Sequence, residues 1–160
     1  MFFRTLYDNF FNLALAIAFV AWVTAQLLKM IGGYFREKRL DWGFFVRSGG
    51  MPSAHTALVT SLATTVGFIE GFNSVLFGAA AVFALIVMYD AAGVRRSVSK
   101  QSVILNRILQ ELKEKRPKDV EHDVRELIGH TPIQVFNGAL VGIVVAVLGL
   151  LMAGELHFHA

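Results

Sequence analysis

The sequence predicts an all-α integral membrane protein, a helical bundle of about four transmembrane helices with amphipathic helices on its cytoplasmic side. Three observations lead to this fold class: the composition, four long apolar runs, and an uneven distribution of lysine and arginine. Hydrophobic residues make up 55% of the 160 residues and charged residues only 17%. A soluble domain of this size needs more charge on its surface. Lipid is therefore part of the solvent, and we expect a single membrane domain over residues 1–160.

Each apolar run predicts one membrane span, and the four runs cover about 10–28, 54–71, 74–90 and 134–153. The first and last have the ~20 residues that cross the hydrocarbon core as a helix. The short link 70–74 contains turn-forming residues and predicts an antiparallel hairpin of the second and third helices. Gly138 and Gly142 have the spacing that lets helix backbones approach closely in lipid. This pattern leaves a homo-oligomer open.

Basic residues are concentrated in two of the three links between the runs. Nine lysines and arginines lie between the third and fourth runs, and none lies in the hairpin link. Between the first and second runs stand Arg36, Lys38, Arg39 and Arg47. The positive-inside rule therefore places both long links in the cytoplasm and both termini across the membrane. We expect the bacterial cytoplasmic membrane.

The long link 95–130 also has a helical pattern. Apolar residues recur at helical spacing from Ile104 to Leu112, Pro117 interrupts the pattern, and it resumes from Val120 to Ile128. Charged residues occupy the other side. These segments predict amphipathic helices that lie on the membrane surface or across the mouth of the bundle.

Polar residues that could act in catalysis or bind a ligand lie at the cytoplasmic ends of all four runs. The second and fourth helices point their N-termini to this face, and a helix N-terminus favours an anion. Backbone N–H groups near Gly50 add to such a site. His55 and His130 offer the acid and the nucleophile that phosphoryl transfer without a metal requires. The groups that gather there are Lys29, Arg36, Gly50, Ser53, His55, Asp90, Arg95, Arg96, Arg125, His130, Thr131 and Gln134.

Several strings resemble the motifs of one known superfamily. Lys29 and Arg36 fit K-x6-R, residues 52–55 look like P-S-G-H, and His130 with Gln134 is similar to the H-x3-D end of a third motif. Together they resemble the type 2 phosphatidic acid phosphatase and vanadium-dependent haloperoxidase superfamily. The strings GGMPSAH, YDAAGVRR and IGHTP are more similar still to its small divergent bacterial and plastid branch.

The resemblance implies a metal-independent phosphatase. His130 would attack phosphorus to form a phosphohistidine, and His55 would protonate the leaving oxygen. Lys29, Arg36 and Ser53 would hold the phosphate, helped by one arginine of the third motif, namely Arg95, Arg96 or Arg125. No cofactor is implied, and vanadate is expected to inhibit as a phosphate mimic. Haloperoxidase activity does not fit a site that faces a membrane.

This sequence also departs from the superfamily pattern. Glu37 replaces a proline, Ala54 replaces a glycine, and Arg125 stands five residues before His130 instead of six. Gln134 occupies the place of the aspartate that orients the nucleophilic histidine, and an amide stabilises the imidazolium less than a carboxylate does. The cytoplasmic placement differs from the common outward-facing site.

Structural roles compete with the functional ones at several positions. Asp90 is the candidate substitute carboxylate, yet a salt bridge with Arg95 or Arg96 explains it as well. Thr131 and Gln134 fit a capping box, and Ser53 fits an N-cap. Lys29 and Arg36 also suit headgroup anchors.

The function expected is hydrolysis of a membrane lipid phosphate or diphosphate at the cytoplasmic face. The alternative is a non-catalytic membrane protein that binds or carries anionic lipid headgroups. In both cases the partners are the bilayer and a lipid phosphate, with no nucleic acid and no metal.

Overall fold

The computed structural model describes residues 12–38, 50–115 and 131–156, and all the regular secondary structure in these ranges is helical. Five helices follow one another along the chain: α1 Leu13–Glu37, α2 Ala54–Glu70, α3 Val75–Ala92, α4 Val94–Lys115 and α5 Pro132–Ala153. The chain is thus an integral membrane helical bundle. The predicted second amphipathic stretch, 120–128, lies outside the described residues.

Local caps explain where several helices begin. The Asn12 side chain accepts a hydrogen bond from the Leu15 amide at the start of α1. Ser74 does the same for the Phe77 amide at the start of α3. Such side-chain oxygens satisfy amides that have no partner inside the helix. The link 71–74 is therefore as short as the sequence predicts, and α2 and α3 form a hairpin.

Three of the helices are long and apolar enough to cross a membrane, over Leu13–Phe35, Val75–Ala92 and Pro132–Ala153. The other predicted span, α2, has 17 residues. It lies in the middle of the bundle and packs against α1, α3 and α5. Its polar side chains are consequently covered by protein instead of lipid. That α2 itself crosses the membrane stays a prediction.

Small residues bring the helices close together around α2. On α1 the alanines at 18, 21 and 25 are almost completely buried. Ala25 packs with Ala54 and Ala57 of α2 in one core cluster. On the other side of α2, Val59 and Ala63 pack against Ala84 of α3. Because the side chains at these contacts are short, the backbones approach closely, which is how helices associate in lipid.

The last helix, α5, uses its two glycines for the contact with α2. A methyl group on Gly138 would lie 2.5 Å from the Ser53 carbonyl oxygen, and one on Gly142 would collide with Thr60 and with the Ala57 carbonyl. Thr60 Oγ1 also donates across the interface to the Ala139 carbonyl, at 3.4 Å. The spacing of Gly138 and Gly142 therefore serves packing within one chain.

Candidate functional site

Lys29 is the buried cation of the bundle core. It lies on α1, within the membrane-spanning part of that helix, and only 7% of its surface is exposed. Its aliphatic stem lies against Gly50, since a methyl group on Gly50 would be 2.8 Å from Lys29 Cδ and 3.1 Å from Cγ. Lys29 is thereby held next to the loop that leads into α2. Ionisable groups at such depth are costly and usually mark a functional site.

Gly50 is required at this place for two reasons. Its φ of +87° belongs to a left-handed conformation that L side chains rarely adopt. The space where a side chain would stand is filled by Lys29. The following Met51–Pro52 bond is cis. Residues 50–53 thus form a tight loop, which we call the glycine loop, between Lys29 and the first turn of α2.

Ser53 ends the glycine loop and caps α2. Its side chain is fully buried, and Oγ accepts from the Thr56 amide at 3.4 Å and from the Thr56 hydroxyl at 3.0 Å. The N-cap interpretation is therefore confirmed. Because Oγ is the acceptor in both bonds, its own O–H remains a donor, which is the group a phosphate oxygen would take. A role as phosphate ligand stays a prediction.

The N-termini of α2 and α5 are joined directly. The Ser53 backbone N–H donates to the Gln134 carbonyl at 3.0 Å, and Asn137 Nδ2 lies 3.3 Å from Met51 Sδ. The positive ends of two helix dipoles therefore lie side by side at the end of the bundle that holds Lys29. Each N-terminus carries about half an elementary positive charge. This end, which we call the site end, favours an anion.

Gln134 has a structural role in addition to this backbone contact. Its side-chain oxygen accepts from the Thr131 amide at 2.9 Å, as in the predicted capping box. The amide group that stands where the superfamily motif has an aspartate is thus engaged with the helix start. Any part it takes in orienting His130 is a prediction, because His130 lies outside the described residues.

His55 and Asp90 lie at the same level of the bundle. His55 is exposed at the second position of α2, one turn before Val59. Asp90 is half-buried on α3, one turn past Val87, and Val87 packs against the cluster that contains Val59. Since α2 and α3 run antiparallel, this register brings both residues to the site end. Their catalytic roles stay predictions.

The remaining predicted site residues are only partly described. Arg36 belongs to α1, and Arg95 and Arg96 to α4, but the positions of their side chains lie outside the described part of the structure. Arg125 and His130 lie wholly outside it. The structure therefore brings Lys29, the glycine loop and the first turn of α5 together, and leaves the arginines and the nucleophile as predictions.

Three further polar residues at the site end were not predicted. Gln26 is 6% exposed and stands one turn before Lys29 on α1. Thr56 holds Ser53, and Asn137 contacts the glycine loop. Helical spacing could have indicated Gln26 and Asn137. Gln26 is three residues before Lys29, and Asn137 is three residues after Gln134, so each pair shares a helix face.

A groove of about 630 Å³ opens at the opposite end of the bundle, between the start of α1, the end of α2 and the start of α3. None of the predicted site residues is among the described residues that line it. Within the described ranges, no three histidine or acidic side chains come together as metal ligands do. The site end therefore holds the buried Lys29 together with the starts of α2 and α5.

The fold and this site together define a class: an integral membrane helical bundle that gathers a buried cation and two helix N-termini at one end. The chain belongs to the Divergent PAP2 family, whose family model matches residues 10–145. The resemblance predicted from the motifs is confirmed.

One curated relative is the uncharacterized membrane protein YuiD of Bacillus subtilis (strain 168). It is 35% identical over 147 residues, which cover 86% of this chain and 93% of the relative. No solved structure matches the chain.

Proposed function

We propose that this protein is a metal-independent phosphatase that hydrolyses a membrane lipid phosphate or diphosphate through a phosphohistidine, at the cytoplasmic face of the bacterial inner membrane. The observation that supports it best is the packing of Lys29 against Gly50, beside the joined N-termini of α2 and α5. An anion held there would lie beside a buried lysine and at the positive ends of two helix dipoles. Membership of the Divergent PAP2 family supports a relation to phosphatases.

The proposed reaction has two steps that balance. His130 attacks phosphorus, the bond from phosphorus to the lipid oxygen breaks, and His55 gives its proton to that oxygen. Water then attacks the phosphohistidine, His55 takes a proton from the water, and inorganic phosphate leaves with His130 restored. Lys29 and the Gly50 and Met51 amides of the glycine loop stabilise the charge on the transferring phosphoryl group. When the substrate is a diphosphate, the leaving group is the lipid monophosphate.

Phosphate release from the full-length protein tests this proposal. The protein is reconstituted in vesicles with phosphatidate or a polyprenyl diphosphate, in the presence of a chelator, with vanadate as inhibitor. We expect Lys29→Met to lower release by about 10²-fold, the usual loss when one transition-state contact is removed, and His130→Ala to abolish it. Lys38→Asn is the matched control, because Lys38 is an exposed basic residue at the C-cap of α1. Wild-type release no faster than that of His130→Ala overturns the proposal.

The second candidate is a protein that binds or carries anionic lipid headgroups without breaking them. The observation that favours it is the Gln134 side chain, which caps α5 in the place where the family pattern has a carboxylate. Without that carboxylate the imidazolium formed during attack is stabilised less. Headgroup binding that is retained in His130→Ala and lost in Lys29→Met, with no turnover by either protein or the wild type, selects this function.

A further inference from the structure

The helix α4 leaves an apolar surface uncovered. It is 22 residues long, and among the described helices it contacts only α3, to which it is joined at Gly93. Val98, Leu105 and Ile108 are 38%, 44% and 48% exposed, and Ile104 is 60% exposed. Of the two placements that the sequence predicts for it, a position across the mouth of the bundle is not observed, since α4 does not pack on α1, α2 or α5.

Four of the five exposed apolar side chains among the described residues of α4 occupy one arc, and the fifth, Val103, which is 45% exposed, lies on the opposite side. At 100° per residue, Ile104, Ile108, Leu105 and Val98 fall within roughly 120° of one another. Ser97 and Gln101 also lie in this arc, near the start of the helix. Arg107 and Gln110 are exposed on the opposite side. An arc of this width suits a flat apolar medium, whereas a coiled-coil partner needs a narrower seam. Ser102, at one border of the arc, is buried.

Charge and position indicate which medium covers the arc. The segment 94–115 contains six basic and two acidic residues, so a second copy placed against it would bring like charges together. An anionic membrane surface would instead be attracted, at about 1 kcal/mol per basic residue near the surface. The helix starts directly after α3, which is long and apolar enough to span the membrane. It is not itself among the helices apolar enough to cross.

We propose that α4 lies in the headgroup layer of the membrane surface at which α3 ends, with its apolar arc toward the acyl chains, and that its partner is an anionic lipid surface. Helices of this type bind through buried apolar area together with attraction to anionic headgroups. The exposed ring of Tyr89, in the last turn of α3, stands where aromatic residues mark a membrane interface. This inference does not depend on phosphatase activity.

The absence of cysteine from the chain makes the test direct. Single spin labels are placed at Leu105→Cys on the apolar arc and at Arg107→Cys on the opposite side, in the full-length protein. The protein is reconstituted in vesicles of phosphatidylcholine, either alone or with about one third phosphatidylglycerol. Ile108→Cys and Gln110→Cys are a second matched pair, in case a label disturbs folding. Collision rates with oxygen, which concentrates in lipid, are compared with those of a water-soluble nickel chelate.

We expect the label at 105 to collide several-fold more with oxygen than with nickel, and the label at 107 to show the reverse. Phosphatidylglycerol should increase this contrast. Nickel access at both positions means that α4 stands in water and overturns the proposal. Spin–spin broadening between labels at 105, with neither reagent reaching them, identifies a second copy as the partner and overturns it as well. Equal contrast in both vesicle types overturns the assignment of anionic lipid.

Discussion

At the level of single residues, the surroundings of Lys29 explain why we propose an anion at the site end. Lys29 is 7% exposed on a helix that is long and apolar enough to span the membrane, where an ionisable side chain is costly. Its stem lies next to Gly50, in the loop that leads to two adjoining helix N-termini, each of which carries a partial positive charge. These partial charges attract an anion, which is the physical reason for proposing a phosphate site here.

Gly50→Ala is expected to disturb both the fold and the site. The new methyl group would meet Lys29 Cδ at 2.8 Å, and the φ of +87° adds strain of about 1–2 kcal/mol for an L residue. The thermal midpoint in detergent should therefore fall, and phosphate binding should weaken because Lys29 must move. Gly32→Ala is the control, since a methyl group there meets nothing within 4 Å. It should be neutral or stabilising, by up to about 1 kcal/mol. Equal midpoints for the two variants would contradict this account.

Local residue patterns predicted the capping interactions well. Ser53, Thr131 and Gln134 were recognisable as cap residues, because a cap depends only on groups a few positions apart. The structure contains the corresponding bonds to the Thr56 and Thr131 amides. The bond from the Ser53 amide to the Gln134 carbonyl was not predictable, since it joins residues 81 positions apart whose approach depends on how two helices pack.

At the scale of single elements, α2 determines the structure of the bundle. It packs against the three other bundle helices and contains a polar set of side chains that is fully or nearly fully buried: Ser53 at its cap, then Thr56, Thr60, Ser61 and Thr65. An apolar run with so many hydroxyls is poorly suited to lipid contact, and a central position covers it. The sequence showed the hydroxyls but not the neighbours that cover them.

Two threonines of α2 should respond oppositely to the isosteric change to valine. Thr60 Oγ1 donates to the Thr56 carbonyl at 2.8 Å and lies 3.4 Å from the Ala139 carbonyl of α5. Thr65 Oγ1 is buried with no hydrogen-bond partner among the described residues. Losing a made bond costs about 1 kcal/mol, whereas removing a buried hydroxyl that makes none is neutral or stabilising. Unfolding in a denaturing detergent should rank Thr65→Val at or above the wild type and Thr60→Val below it. The reverse order would contradict this prediction, because the Thr65 hydroxyl would then make a stabilising hydrogen bond.

At the scale of the whole molecule, the arrangement of the helices separates the two ends of the bundle. The site end has the ends of α1 and α3 and the starts of α2 and α5, and the other end has the groove between α1, α2 and α3. Within the described residues α1 and α3 do not touch each other, so α2 is reached from the side between them.

The orientation of the bundle is open to a labelling test on intact cells. Asn73 is exposed in the hairpin link and Gln110 is exposed on α4, at opposite ends of α3. The positive-inside rule predicts that Asn73→Cys reacts with a membrane-impermeant maleimide from outside. Gln110→Cys should react only after the cells are permeabilised. The natural cysteine-free chain is the blank. Labelling of Gln110→Cys alone in intact cells would place the site end outside and overturn the cytoplasmic assignment.

The sequence by itself determined the all-helical membrane fold, the hairpin of α2 and α3, the cap roles of Ser53, Thr131 and Gln134, and the family. These follow from composition, periodicity and short motifs, which are properties of neighbouring residues. Only the tertiary structure decided that Lys29 lies on Gly50, that the starts of α2 and α5 are joined, and that α4 packs on α3 and on none of the other described helices. Each of these depends on which helix faces pack together, and close packing of small residues fixes that choice only when the whole chain is assembled.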